Sequence, residues 1–255
     1  MEELILGDIQ TSKHSDENRH LETLVDQLDP NGEPQVRWVY RAAQRIKEGG
    51  RRLGIFSGSF NPLTVAHIKM IEAAQEQYDL DEILLILARA NVDKGVFGLS
   101  LADRLLMLKE YTANQETFSV AACSHGKFIE KIEALKPAYP SGTHFSFIVG
   151  YDTFIRLFDP KYYTDLHGAL EALFDQCRFI VANRHEYDGD SVRRVMTAPD
   201  YRRYAGGIDL IELPDFYAEI SSTDIRAQIQ AGNSVDHLVP LEVQGFLKAV
   251  QAYEG

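Results

Sequence analysis

The sequence predicts an α/β fold: a mostly parallel sheet with helices on both faces. Two observations predict it. From residue 51 onward, short apolar runs alternate with stretches of helical periodicity, the pattern of strands joined by crossover helices. The first run, Leu53 to Ser57, also leads through a small-residue turn straight into a helix, making a strand–turn–helix unit. In such sheets ligands bind beyond the carboxyl ends of the strands, where the strand order reverses. The residues that follow each strand are therefore the place to look for function.

The elements follow in order. Residues 1–50 read as an N-terminal helical extension packed on a main domain of residues 51–255, because so short a stretch buries too little surface to stand alone. Within it, Asp8 to Arg19 is polar and reads as unstructured. Leu21, Leu24, Val25 and Leu28 keep helical spacing, and Asp29-Pro-Asn-Gly-Glu-Pro34 breaks the pattern. Val36 to Lys47 is expected to be a second helix, with Val36, Val39, Tyr40, Ala43 and Ile46 on one face, ended by Gly49-Gly50. Trp38, the only tryptophan, reads as a packing anchor. Strands are then expected at 53–57, 83–88, 118–122, 144–149, 178–182 and 208–213. Helices are expected from Val65 to Tyr78, from Ser100 to Tyr111, from Ser124 to Leu135, through Phe158, from Asp165 to Phe174, from Ser222 to Ala231 and from Leu241 to Tyr253. Ser100 with Asp103 three residues on has the form of a helix cap, and Pro137 stops the helix before it.

Composition narrows the function classes. A formal charge of −12 argues against a broad nucleic-acid footprint. The longest apolar run, Ile83 to Ala88, is far too short to span a membrane, and the N-terminus lacks the basic start of a signal peptide. Two cysteines, Cys123 and Cys177, without metal-ligand spacing fit a reduced, cytoplasmic chain. Cys123 and His125 are neighbours, but nothing orients them as a nucleophile pair.

The residues after the strands are chemically selective. Ser57, Gly58, Ser59, Phe60 and Asn61 follow the first strand. Pro62 sits where a helix start tolerates proline, and Thr64 and His67 share one face of the helix that begins there. Backbone N–H groups in such a turn, with the helix dipole behind them, suit a phosphate. An ordinary strand–helix turn with a structural histidine has the same local sequence, so the weight rests on coincidence with the rest of the chain. Lys94 lies in the loop after the second strand, Gly150-Tyr-Asp152 after the fourth, and Asn183-Arg184-His185 after the fifth. Ser221, Ser222 or Thr223 can cap the penultimate helix, with Arg226 in its first turn.

Three of these segments resemble a known superfamily. Gly58-Ser-Phe-Asn-Pro-Leu-Thr-Val-Ala-His67 resembles the first signature of the HxGH nucleotidyltransferases, especially the nicotinamide and nicotinic acid mononucleotide adenylyltransferases. Ile220-Ser-Ser-Thr-Asp-Ile-Arg226 resembles the second signature, I-S-S-T-x-I-R, and Gly150-Tyr-Asp152 resembles the family's G-x-D. The resemblance covers roughly Arg51 to Gly255 and implies a Rossmann-like, doubly wound sheet that transfers AMP from ATP to a mononucleotide, releasing pyrophosphate. It implies that Ser57, Gly58, Ser59 and Phe60 cradle the ATP phosphates, and that His67 stabilises charge on the α-phosphate. Arg226, Ser222 and Thr223 would hold the β- and γ-phosphates, with Lys94 as a further phosphate ligand. Gly150 and Asp152 would face the nucleoside, Asp152 accepting hydrogen bonds from the ribose. Mg²⁺ would be held mainly by the ATP phosphates, with no dedicated protein site.

The chain departs from the family pattern in two ways. Thr64 and Ala66 replace the first histidine and the glycine of HxGH. The tryptophans that stack on the pyridine ring in the family have no counterpart in the matching region, where Tyr162 and Tyr163 offer a stacking face and Arg184 an acceptor contact. Asp200-Tyr-Arg-Arg-Tyr204 reads either as a lid or acceptor contact or as an exposed loop packed by its aromatic rings. Three functions therefore stay open: nicotinamide or nicotinate mononucleotide as acceptor; another phosphorylated acceptor, with ATP or CTP as donor; or a nucleotide-binding regulator without turnover. A homo-oligomer is compatible with all three.

Overall fold

The computed structural model describes residues 2–91, 98–183 and 189–250, with the side chains of the first helix described from His14 onward. The elements are α1 (Glu2–Asp26), β1 (Val36–Tyr40), β2 (Arg52–Ser57), α2 (Val65–Tyr78), β3 (Glu82–Ala88), α3 (Leu101–Thr112), β4 (Phe118–Cys123) and α4 (Phe128–Leu135). They continue as β5 (His144–Gly150), α5 (Tyr151–Arg156), α6 (Leu166–Phe174), β6 (Cys177–Ala182), α7 (Gly189–Thr197), β7 (Ile208–Ile211), α8 (Asp215–Ala218), α9 (Ser222–Gln230) and α10 (Leu241–Ala249).

Period-two alternation within the strands builds two cores. On β3, Ile83, Leu85 and Leu87 point into one apolar cluster with α1, α2, α3, α9 and α10. Leu84 and Ile86 point into the other, with α4, α5, α6 and α7. The seven strands lie in the order β1-β4-β3-β2-β5-β6-β7. All pairs are parallel except β1 with β4. From β2 the chain steps outward to β3 and β4, then returns to lay β5 on the other side of β2. The strand order therefore reverses between β2 and β5, which makes their carboxyl ends the expected binding crevice.

The N-terminal segment differs from expectation in two places. Asp8 to Arg19 is helical, as part of α1. The polar face of α1 is matched to α3: His14 Nε2 lies 2.5 Å from Glu110, Lys109 donates to Glu17 and Asn18 to Asp103. Polarity here marks a helix–helix contact made of polar and ionic pairs. The second helix expected over residues 36–47 is a strand, β1, followed by irregular chain. Val36, Trp38, Val39 and Tyr40 are β-branched or aromatic, and pairing with β4 gives them a pleated surface that an isolated helix would lack. Trp38 is an anchor, as expected: the Arg41 guanidinium lies 3.8 Å from its ring and Tyr139 meets it edge-on.

The remaining boundaries shift little. Ser100 and Asp103 form the expected reciprocal cap of α3. Ser124 does not start α4, which begins at Phe128 after Lys127. The Ser124 hydroxyl instead accepts the Gln35 N–H at 2.9 Å and so joins the sheet edge. The last helix is described to Ala249, and the rest of its expected extent lies outside the described residues. Helix α7 had no expectation, although Val192, Val195 and Met196 keep helical spacing and pack on one core.

One buried cation gives a pH-dependent prediction. Lys131 is 1% exposed and donates to the Gly126 carbonyl. Burial pushes its ammonium down to about 8 from the ordinary 10.5. Between those values the unfolded chain binds more protons, so the contribution of this group to stability rises with pH through that window. Lys131→Met is therefore expected to gain stability relative to wild type below pH 8. That gain should shrink by on the order of 3 kcal/mol by pH 10.5. Denaturant unfolding of both proteins at pH 7 and pH 10.5 measures it, and a pH-independent difference contradicts it.

Candidate active site

The turn after β2 is held from three sides. Phe60 adopts a positive φ of 44°, uncommon for a bulky residue, and its ring is fully buried. Its edge meets Phe56 at 5.5 Å and His67 at 5.5 Å, and Phe56 also meets His67 at 5.4 Å. A Cβ on Gly58 would lie 3.1 Å from the Phe60 ring, so the tuck of that ring fits best beneath a glycine. The peptide Asn61–Pro62 is cis. Asn61 is turned inward, 2% exposed, with its amide oxygen accepting the Leu99 N–H at 3.1 Å. Arg104, buried on α3, donates to the Ser59 carbonyl at 3.3 Å and the Leu99 carbonyl at 3.0 Å. Sequence reasoning missed Arg104. Its signal was a cation on a helix face otherwise lined by Leu101, Leu105 and Leu108.

Helix α2 begins with a capping box of unusual composition. Thr64 Oγ1 accepts the His67 N–H at 3.3 Å, and His67 Nδ1 in turn accepts the Thr64 N–H at 3.0 Å. An imidazole that accepts at Nδ1 carries its proton on Nε2, so the cap sets the tautomer of His67 as well as its orientation. Thr64, in the place of the first histidine of HxGH, is thus part of the histidine's mounting.

The start of α9 is joined to the same turn. Ser221 caps α9, accepting the Asp224 N–H at 3.1 Å. Ser222 Oγ donates to the Pro62 carbonyl at 2.9 Å. Arg226 Nη1 donates to the Asn61 carbonyl at 2.8 Å and the Ser222 carbonyl at 3.2 Å, and Nη2 to Thr223 Oγ1 at 3.2 Å. Segments some 160 residues apart in sequence are thereby locked together, with two helix N-termini side by side. Ser57, Gly58 and Ser59 are half-buried to exposed at the rim of this junction.

Gly150 and Asp152 stand across the point where the strand order reverses, at the end of β5 and in the first turn of α5. Gly150 has φ −78° and ψ 161°, which any residue adopts, and a Cβ there would meet nothing within 4 Å. Neither backbone nor packing asks for glycine there, and the space above it is open. Gly150→Val is expected to leave the melting temperature within a few degrees, since β-branched residues suit a strand end. It should weaken ATP binding tenfold or more, about 1.4 kcal/mol. Calorimetric titration with ATP checks this, and unchanged affinity refutes it.

A cavity of about 400 Å³ is lined by Tyr151, Ser191, Arg194, Val195, Ala198 and Tyr201, beside Asp152 on the β5–β6 side. Sequence reasoning did not anticipate it, because α7 was not foreseen. Tyr162 is 51% exposed on a short turn, under the Lys161 ammonium at 4.8 Å, and Tyr163 is half-buried. Asp200 to Tyr204 is packed by its aromatic rings, Tyr201 lying against Phe158 at 4.7 Å and Tyr204 stacking on Phe174 at 4.9 Å, and Tyr201 also lines the cavity. Lys94 and Arg184 lie outside the described residues. Burial raises the thiol of Cys123 and pushes that of Cys177 up to about 12, which keeps both protonated. His125 is paired with Ser124 Oγ at 2.8 Å.

The sequence matches the family described as cytidylyltransferase-like over residues 55–228. The chain belongs to that family. It is 33% identical over 213 residues to a protein of Synechococcus sp. (strain JA-3-3Ab) named "Probable nicotinate-nucleotide adenylyltransferase", covering 80% of this chain and 95% of that relative. A protein of the same name from Geobacter sulfurreducens is 28% identical over 219 residues, covering 79% of this chain and 98% of the relative. Among solved structures, Plasmodium falciparum nicotinic acid mononucleotide adenylyltransferase complexed with NaAD has the same fold, with a TM-score of 0.60 at 17% identity, covering 80% of this chain and 98% of that one. The cytidylyltransferase-like chain is therefore a nucleotidyltransferase-superfamily member with a Rossmann-like α/β fold, resembling the nicotinate mononucleotide adenylyltransferases. Among the described residues, no helix is long and apolar enough to cross a membrane.

Proposed function

We propose that this protein transfers AMP from ATP to nicotinate mononucleotide, releasing pyrophosphate and forming the dinucleotide used for NAD synthesis. The observation that carries the reading is the lock between α9 and the turn after β2. Ser222 and Arg226 bond the carbonyls of Pro62 and Asn61, so two anion-ready helix starts and the His67 imidazole serve one space. The names of the relatives support the acceptor.

In this reading an oxygen of the acceptor phosphate attacks the α-phosphorus of ATP. The bond from that phosphorus to the bridging oxygen breaks, and pyrophosphate leaves with the electron pair. The protein supplies no covalent nucleophile; positioning and charge stabilisation carry the rate. His67 Nε2–H donates to an oxygen of the α-phosphate as its charge grows. The Arg226 guanidinium has five N–H donors; one bond holds the turn at Asn61, two stay within α9 at Ser222 and Thr223, and the remaining donors serve the β- and γ-phosphates together with the N–H groups of Ser222 and Thr223. The turn Ser57 to Phe60 lies under the phosphates, and Asp152 accepts from the ribose. Lys94 is retained as a further phosphate ligand. The cavity beside Tyr151 and Tyr201 suits the acceptor, offering two aromatic walls and the cation of Arg194.

Mg²⁺ is proposed to arrive with ATP. It would be held mainly by the phosphate oxygens, as Mg²⁺ on a nucleotide usually is. It would neutralise the triphosphate.

The test is direct. Purified protein with Mg²⁺ and ATP is expected to release pyrophosphate with nicotinate mononucleotide and to yield the corresponding dinucleotide. Faster turnover with nicotinamide mononucleotide, or with CTP in place of ATP, would reassign the acceptor or the donor. ATP binding without turnover on any acceptor would make the protein a nucleotide-binding regulator.

A further inference from the structure

The N-terminal helix ends on the nucleotide side of the sheet. Arg89 is the first residue after β3, and β3 runs beside β2, with the Gly58 N–H directed at the Ile86 carbonyl at 3.4 Å. An arginine at this point, three residues beyond a strand partner of the phosphate turn, has the chemistry of a phosphate ligand. Its guanidinium is used otherwise. Nη1 donates to the carbonyls of Val25 at 3.0 Å, Asp26 at 2.9 Å and Leu28, and Nη2 lies 3.6 Å from the Asp26 carboxylate.

The physical reason lies at the end of α1. Its last turn carries no basic residue, so its final carbonyls and the negative end of its dipole have no local cation. Arg89 supplies one from another element. Leu21, Val25 and Leu28 meanwhile sink into the core shared with α2 and α3, so the helix end is a fixed object. Three carbonyls converging on one guanidinium hold the start of the turn after β3 against it. The helix half of this contact, Val25 to Leu28, precedes the family match, which begins at residue 55, and Arg89 lies within it.

We infer that Arg89 is a positioning residue: gripped by the end of α1, it holds the end of β3 and the single turn Arg89–Asn91 in register with the phosphate-binding turn after β2, making the N-terminal helix part of the support of the nucleotide site. The inference rests on the nucleotide-binding reading above.

Its test uses full-length variants. Arg89→Met keeps the stem and removes the guanidinium, and Arg89→Lys returns a cation. Asp26→Lys places a positive charge on an exposed position beside Arg89, where it repels the guanidinium and competes for the helix end. Arg89→Met is expected to raise the Kd for ATP, measured calorimetrically, and the KM for ATP by roughly five- to tenfold, more than it lowers kcat. Arg89→Lys should recover part of this. Asp26→Lys should also weaken ATP binding, by roughly two- to fivefold, although added positive charge would by itself tighten the binding of an anion.

Unchanged ATP affinity in Arg89→Met, whatever its melting temperature, overturns the inference by leaving the contact a structural one. Tighter ATP binding in Asp26→Lys, with weaker binding in Arg89→Met, also overturns it by making Arg89 a phosphate ligand. Wild type that binds ATP without turnover would defeat the transferase reading, yet the Kd series would still decide this one.

Discussion

Replacing His67 with alanine is expected to lower kcat by about 10²–10³-fold while leaving the Kd for ATP within roughly threefold of wild type. The asymmetry follows from geometry. His67 is a half-buried donor whose tautomer is fixed by the Thr64 N–H at Nδ1, so it has one proton to offer, at Nε2. A neutral donor aimed at a phosphate oxygen gains most when that oxygen gains charge, which happens in the transition state and not in the ground state. Pyrophosphate release gives kcat and calorimetry gives Kd. Equal losses in both would mean that His67 only binds ATP, and no loss in either would remove it from the chemistry. Thr64→Ala belongs in the same series. It removes the cap hydroxyl, costing about 1 kcal/mol of stability, but keeps the backbone N–H that sets the tautomer. A smaller loss of kcat than in His67→Ala is expected.

Arg226→Ala is expected to be the most damaging single change at the site, lowering kcat/KM by about 10³-fold. It removes a guanidinium from the phosphate region and the 2.8 Å bond to the Asn61 carbonyl. The second loss removes a hydrogen bond from a charged donor, at a cost of about 1.5–3 kcal/mol, so the melting temperature should fall as well. Arg226→Lys separates the two effects. Lysine restores a point charge but lacks the planar fork that lets one group reach Asn61, Ser222 and Thr223 together. It should recover part of the kcat/KM and little of the melting temperature. Full recovery of both by lysine would show that charge alone matters and that the lock between α9 and the turn is incidental.

The parallel sheet was legible because its signals are local. Leu84-Leu-Ile-Leu-Ala88 has few alternatives to a doubly covered strand, and Thr64 and Ser100 begin helices by bonding residues three positions away. The ligand-side positions followed from the general rule about strand ends. What stayed hidden depended on partners distant in sequence. Val36 to Tyr40 fits a helical face or a strand equally by spacing, and only β4, more than 75 residues on, selects the strand. Asp8 to Arg19 read as unstructured because its partners, Asp103, Lys109 and Glu110, lie on α3. At the site, sequence could single out Ser222 and Arg226 as candidates for a phosphate but could not show them bonded to the backbone of Pro62 and Asn61. Those bonds end on carbonyls, and every residue has a carbonyl.

The three rings of Phe56, Phe60 and His67 meet edge to face within 5.5 Å, and the imidazole is pinned at Nδ1 as well. The rotational freedom of the histidine is therefore surrendered when the chain folds, before any nucleotide arrives. Turnover then carries little entropic cost for orienting this group. The same core contacts that keep β2 and α2 together keep the imidazole aimed, so heat or denaturant should abolish its alignment only together with the fold.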